Sequence, residues 1–340
     1  MEDRDEQQHL QALVELLEHG RQFEDLTTAD PSAGPWKPTA GSDLEADDVA
    51  VAPYHLSHAA WLALTVAGDH LRALRTSVLT EESADRVTAT LHTHAQASLA
   101  RGVIENAARA VWLLASDDSM IRIQRRLALQ KKDIGSSTKL HDLLGGKTPR
   151  TKEVREEELR QLALRAGTPP DRVKAILKAP DYTEIVREAG DHMGPHGKMA
   201  VAMWSGCSSL AHGDLSGALI FLAREAVSQD ENVMLARITG SFGMLRHCTA
   251  VGVAFLGRGR LRTGRGPSTA MLALDDGGPG EAGSGMLLRP TVEPMLAQAV
   301  EALPGPAALR AGMPYEQKLW TEIDDVHCPG CGAQTLSWSD

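Results

Sequence analysis

Along most of the chain apolar residues return every three or four positions, the period of a helix with one buried face, and two-residue alternation is nearly absent. The pattern predicts a mainly α fold. Asp3 to His19 reads as an amphipathic helix with Leu10, Leu13, Val14 and Leu17 inward. The next stretch, TTADPSAGPWKPTAGSDLEADD, is dense in Pro, Gly, Ser and Asp and reads as a loop joining that helix to the body. Pro53 and Tyr54 then open a long helix, HLSHAAWLALTVAGDHLRALRTSV, apolar around most of its circumference and so expected to run through a core. Residues 84 to 115 read as a second such helix, and DDS at 117 to 119 offers an N-cap for a third, MIRIQRRLALQKKDI. Shorter helices are expected after TPPD at 168 to 171 and after PDYTE at 180 to 184, where Pro and Asp suit a helix start. A helix around Gly206, extended through LSGALIFLAREAV, and another over residues 234 to 257 complete the set.

Composition then divides the chain. After Gly257 the sequence turns Gly-rich and charged, GRGRLRTGRGPS and then DDGGPGEAGSG, which reads as linker. The expected organisation is an acidic N-terminal helix and linker over 1–50, a helical bundle over 51–257, a linker over 258–289, and a tail over 290–340 with a helix around MLAQAVEAL and the terminal HCPGCGAQTLSWSD. An apolar content of 42% over 340 residues supplies a substantial core. There is no apolar run long enough for a membrane span, and the opening segment is acidic where a secretory signal would be basic and then apolar. With four scattered cysteines, too few for a disulfide framework, the sequence reads as cytoplasmic with no membrane association.

Charge is unevenly spread. The net charge of -10 argues against indiscriminate nucleic-acid binding, yet the first fifty residues alone hold thirteen acids against three bases. Between Met120 and Arg160 bases predominate, Arg122, Arg125 and Arg126 among them, which reads either as a solvated helix face or as the footprint of an anionic partner.

Five constellations carry candidate chemistry. In RGVIENAARAVWLL, Arg101 and Glu105 sit one turn apart on an otherwise apolar helix with Arg109 in the same row, so they form either a buried ion pair or a polar pocket. In WSGCSSLAHGD, helical spacing brings Ser205, Ser208, Ser209 and His212 toward one another, while Ser205, Ser209, Gly213 and Gly217 make a seam of small residues for close helix contact. His58 and Asp69, with Glu105 and His212, have the residue types of a bundle metal centre, though no duplicated Glu-x-x-His pair accompanies them. His192 and His196, separated by Gly194 and Pro195, fit a cleft-lining connection. Cys328 and Cys331 in CPGC, beside His327, have the spacing of half a structural zinc site. Walker, dinucleotide, HExxH and Gly-x-Ser-x-Gly signatures are absent.

Taken in order, PYHLSHAAWLALTVAGDHLRALR, RGVIENAARAVWLL with DDSMIRIQRRL, and WSGCSSLAHGD resemble an uncharacterised actinobacterial family of helical proteins, itself similar to the HEPN superfamily. The resemblance spans roughly residues 50 to 257. It implies a HEPN-like bundle, a homodimer, and work in a stress or phage-defence (toxin–antitoxin) system through RNA binding or ribonuclease activity, with RNA or a cognate protein as partner. HEPN ribonucleases carry an Arg a few residues before a His on one helix; the His carries over onto His212, whereas Gly206 to Ala211 contain no Arg. Arg101 is the candidate for the missing cation. The catalytic candidates are thus His212, Arg101, Glu105 and Ser209, and the substrate-binding candidates Trp204, Ser205, Arg109, Arg122 and Arg126. The other function classes are a metal-dependent hydrolase or transferase built on His58, Asp69, Glu105 and His212, and a scaffold without chemistry.

Overall fold

The computed structural model describes residues 2–28, 36–83, 86–146, 150–194, 196–230, 233–263, 323–327 and 334–338. Its elements are α1 (Glu2–Gly20), a 3-10 turn (Arg21–Phe23), α2 (Asp25–Thr28), α3 (Asp43–Val51), α4 (Leu56–Val78), β1 (Leu79–Ser83), β2 (Arg86–Ala89), α5 (Ala95–Leu114), α6 (Ser119–Leu143), α7 (Lys152–Arg165), α8 (Val173–Ile176), α9 (Tyr182–Asp191), α10 (Gly197–His212), α11 (Leu215–Phe221), β3 (Ala223–Asp230), β4 (Val233–Thr239), α12 (Phe242–Arg262), β5 (Ile323–His327) and β6 (Gln334–Trp338). The mainly α expectation holds, and among the described residues no helix is long and apolar enough to cross a membrane.

α5 is the axis of the bundle. Its interior residues Ala100, Val103, Ile104, Ala107 and Val111 are all buried, in one cluster with Leu64, Ala67 and Leu74 of α4, Val186 of α9, Met203 and Cys207 of α10, Leu245 and Leu256 of α12, and Leu13 and Leu17 of α1. Small residues bring α12 close. A Cβ on Gly252 would lie 2.6 Å from Val103, and one on Gly259 2.8 Å from Leu64. A second cluster joins α3, α6, α7 and α8 through Val51, Ile123, Leu127, Ile134, Leu159, Leu162 and Val173.

Local chemistry starts these helices where they start. Ser42, Asp118, Thr151, Asp181 and Ser241 each accept a hydrogen bond from a backbone amide of the first turn. Asp48, buried, accepts from the Ser57 amide and hydroxyl and so satisfies the start of α4 from another helix. Gly213, at φ 74°, ends α10 in the left-handed conformation that costs glycine least.

Several boundaries differ from the sequence reading. The helix expected over 84–115 begins at Ala95, because the β-branched Val87 and Thr88 pair in an antiparallel hairpin with β1. LSGALIFLAREAV does not extend α10: Gly213 breaks it, α11 follows, and the chain enters a second hairpin, β3 with β4, in which Val233 to Thr239 are strand instead of helix. The supposed loop over residues 27 to 48 contains the start of α3, capped by Ser42. α7 was not expected; its charged sequence hides an inward row of Leu159, Leu162 and Ala163. The bundle runs past Gly257 to Arg262, since Gly259 packs on Leu64 and Ala110 and Arg260 bonds to Asp25 and the Gln22 carbonyl.

The most enclosed ion pair in the fold joins Asp47 of α3 to Arg122 of α6 at 2.6 Å, side chains 1% and 8% exposed, with Ser119 bonded to the same carboxylate and the Ser116 carbonyl accepting from the same guanidinium. Asp47→Ala leaves Arg122 buried without its counterion, and the expected loss is about 3–5 kcal/mol in urea unfolding. Glu225→Ala, in a solvent-exposed pair with Arg237, should leave the midpoint unchanged.

Candidate functional site

The polar row of α5 is the first place where the fold gathers chemistry. Arg101 Nη2 lies 3.3 Å from Glu105 Oε2, the side chains 30% and 17% exposed, so the pair is half-buried at the bundle surface. The indole of Trp204, on α10, donates to Glu105 at 3.1 Å, and the Arg101 guanidinium stands 6.0 Å from the same ring. One turn on, Arg109 donates to Asn106, which donates to the Gly102 carbonyl. Gly102 is required by His70 of α4, whose imidazole ring would lie 2.2 Å from a Cβ there. Arg101, Glu105 and Trp204 are therefore brought together as one cluster.

His212 is not part of it. It is exposed at the last position of α10, eight residues and about 12 Å along the axis from Trp204. Ser209 donates to Asp214 at 3.1 Å, and Ser205 is exposed. The small-residue seam is real only in part. A Cβ on Gly217 would meet Ser209 at 2.7 Å, and one on Gly206 would meet the Phe221 ring at 1.8 Å, so these positions dock α11 on α10 while Ser205 and His212 face solvent.

The basic stretch resolves into internal bonds. Arg122 is held by Asp47, and Arg126, 8% exposed, donates to the His55 carbonyl and Gln130. Arg155 donates to Ser137, Thr138 and the Ile134 carbonyl, and Arg150 and Arg160 pair with Glu158 and Glu157. Arg122 and Arg126, expected to bind substrate, are committed inside the fold.

A further group of basic side chains comes together from α6, α12 and the residue after α9. Arg125 stacks 4.9 Å over Trp112, donates to the Trp112 carbonyl, and shares Glu188 with the Trp112 indole, each bond to that carboxylate 2.8 Å. His192, just past α9, is held below the ordinary imidazole range by burial and then by the positive charge of Arg125, with Arg262 and Arg258 adding and Glu188 opposing. Arg262 pairs with the exposed Asp117 at 2.9 Å, whose carboxyl that bond pulls down and whose field also includes Arg122 and Arg258. Arg258 itself has no hydrogen-bond or ion-pair partner among the described residues, and its Nε is buried. These side chains make a cluster of three guanidinium groups around one imidazole, with Glu188 and Asp117 among them. The sequence concealed it because Arg258 and Arg262 fall in a Gly-rich stretch that reads as linker.

The metal candidates are not gathered. Asp69 and His58 are exposed, and His58 stacks on His55 at 4.7 Å with Trp36 edge-on at 5.8 Å. Among the described residues no group of three or more His, Cys, Asp and Glu side chains is placed to hold a metal ion. Cys207 and Cys248 are free, buried thiols in the apolar helices where small hydrophobes were expected. A hydrogen bond with Cys207, then burial, holds the Cys248 thiol well above its ordinary range, beside a cavity of about 30 Å3 that fits about one water. His196 sits against Gly194, whose φ of 118° makes the turn between α9 and α10. Cys328 and Cys331 lie outside the described residues; His327 ends β5, opposite Gln334 of β6.

One group went unnoticed in the sequence, His247 of α12, because RHC in an apolar helix carries no motif. Burial, then Arg246, whose Nη2 is 3.1 Å away, and His9 of α1 push its imidazole down to about 4. No family model, curated protein or solved structure matches the chain.

Two predictions follow from this geometry. Glu105→Ala removes the ion pair and the indole acceptor together and should cost about 1–3 kcal/mol, because the groups left behind are only partly desolvated; Glu105→Gln, which keeps an acceptor for Trp204, should lose less in the same urea titration. His247 has a folded pKa depressed below its unfolded value, so its contribution is full above about 6.5 and is lost as pH falls toward about 4. Melting temperature should decline across that window, and His247→Gln should flatten the decline.

Proposed function

We propose that the chain is a HEPN-like helical protein that binds RNA through the phosphate backbone, with the cluster of Arg125, His192, Arg258 and Arg262 as the point of contact. The observation that carries this reading is Arg258, a cation with no acidic partner among the described residues, beside Arg125 and Arg262, which do have one. Guanidinium suits phosphate oxygens in charge and in fork geometry. Arg125 is fixed by Trp112 and Glu188, so that part of the cluster is held in place before a ligand arrives. Arg262 holds Asp117, an exposed carboxylate that an incoming phosphate can replace. A place in a stress or phage-defence system rests on the resemblance of the three motifs.

Binding is favoured over cleavage. General base chemistry at His212 needs a cation on the phosphate beside it, and Arg101 is instead held by Glu105 and Trp204, about two turns of α10 away. Arg101, Glu105 and Trp204 act on this reading as the bolt between α5 and α10, and Ser209 as a partner of Asp214.

Fluorescence anisotropy with a labelled single-stranded RNA tests the proposal. Arg258→Ala combined with Arg262→Ala should weaken binding at least tenfold and make it less sensitive to salt, since fewer phosphates are neutralised. His212→Ala should bind as the parent chain does, and the RNA should stay intact with both proteins. A bound phosphate favours the charged form of His192, so affinity should rise as pH falls through the imidazole range, and the His192 resonances should titrate at higher pH in the complex. Unchanged affinity in the double variant overturns the reading.

A further inference from the structure

The hairpin of β3 and β4 is unlike the rest of the molecule. Among the described residues its two strands pair only with each other, and on both of its faces large apolar side chains stand in solvent: Val227 56%, Met234 47%, Leu235 58% and Ile238 38% exposed. Leu215 and Ile220 of the neighbouring α11 are also exposed, at 51% and 54%. A two-stranded ribbon in water is marginal alone and needs a third strand or a packed face. This one has neither within the described chain.

Its two edges differ in a way that selects the partner. The β3 edge carries Arg224, Glu225 and Asp230 and is interrupted by a bulge at Val227, both of them devices that discourage strand addition. The β4 edge, VMLARIT, has no bulge, no proline and a single charge, Arg237, which is engaged by Glu225 across the ribbon at 3.2 Å. That edge is open. It is also self-complementary. With a two-fold axis at Ala236, an antiparallel copy of β4 sets Met234 against Ile238 and Leu235 against Arg237, so no charge stands directly opposite a like charge, and the two copies of Arg237, diagonal neighbours, each keep their own Glu225. Because β4 alternates, Met234, Ala236 and Ile238 fall on one face and extend it as a single apolar strip across both copies.

We infer that β4 is the homodimer edge of this protein, two copies joining their ribbons into one four-stranded antiparallel sheet in the order β3-β4-β4-β3. The occupant is a second copy of the chain, since the same residues that leave the edge open match themselves under the symmetry that closed dimers use. This inference does not depend on RNA binding, and its residues are not those of the arginine cluster around His192.

The test uses the full chain with Cys328→Ser and Cys331→Ser, so that the tail thiols do not contribute. Sedimentation at tens of micromolar should give twice the 36.5 kDa chain mass. Ala236→Cys, which the axis places opposite itself at a separation suited to a disulfide, should form a covalent dimer on mild oxidation with diamide. Thr239→Cys, on the same strand but about 20 Å from its copy in that register, should not. Met234→Lys combined with Ile238→Lys should halve the sedimenting mass while the helical circular dichroism and the melting temperature of the bundle stay unchanged, as both side chains are exposed. A monomeric parent chain, a dimer that survives the lysine pair, or equal cross-linking at Ala236→Cys and Thr239→Cys overturns the inference.

Discussion

The structure depends on the enclosure of α5. A helix surrounded by α4, α9, α10 and α12 must be mostly apolar, and this one is, its polar residues being the row of Arg101, Glu105 and Arg109 with Asn106 beside it, and Gln96 and Ser98 near its start. That row sets the orientation of everything around it. Glu105 needs a donor and receives one from Trp204, which fixes the rotation of α10; Trp112 offers its carbonyl and indole to Arg125 and Glu188, which fixes α6 and α9. Where α5 is apolar, its neighbours come close through glycine, at Gly252 and Gly259 of α12, with Gly102 of α5 itself taking the His70 ring. The helix that carries the polar row is thus also the one that gives least room to rearrange it.

Charge follows from the same arrangement. The acidic first fifty residues and the basic stretch after Met120 look, in sequence, like an acidic arm beside an anion-binding face. In three dimensions they largely answer each other or their own neighbours: Asp47 takes Arg122, Glu24 takes Arg75, Asp25 takes Arg260, and Arg150, Arg155 and Arg160 are bonded within the α6–α7 layer. The isolated pairs on the surface contribute little individually. Asp47 and Arg122 differ because neither is solvated, so each is tolerated only in the presence of the other. Cationic surplus accumulates instead at the end of α12, in residues that a compositional reading assigns to a linker.

How much the sequence disclosed can be judged element by element. α1, α4, α6 and α9 were legible because an amphipathic period coincided with a cap or a break, as with Asp118 and Asp181, whereas α10 was seen but read as running on past Gly213. The hairpins were not. Ala, Glu and Arg around Val227 and Val87 give a helical composition, and the strands show too little alternation to oppose it. α7 was lost for the reverse reason, since a helix with only three inward residues has almost no period to read. At the far end of α12, glycine was taken as a breaker, when Gly259 is there because a side chain would collide with Leu64.

The candidate site shows where helical spacing alone fails. Arg101, Glu105 and Trp204 meet as a polar row on a buried helix should, because an enclosed charge has to find a partner and the choice of neighbours is small. Ser205, Ser209 and His212 satisfy the same arithmetic of three, four and seven residues, yet that arithmetic fixes only a shared face and not what the face looks at. α11 covers the neighbouring face through Gly206, with Phe221 lying where a side chain would have been, and leaves His212 in water. Burial and nearby arginines lower the imidazoles of His192 and His247 instead, the first facing Arg125, Arg258 and Arg262 and the second on α12 beside Arg246.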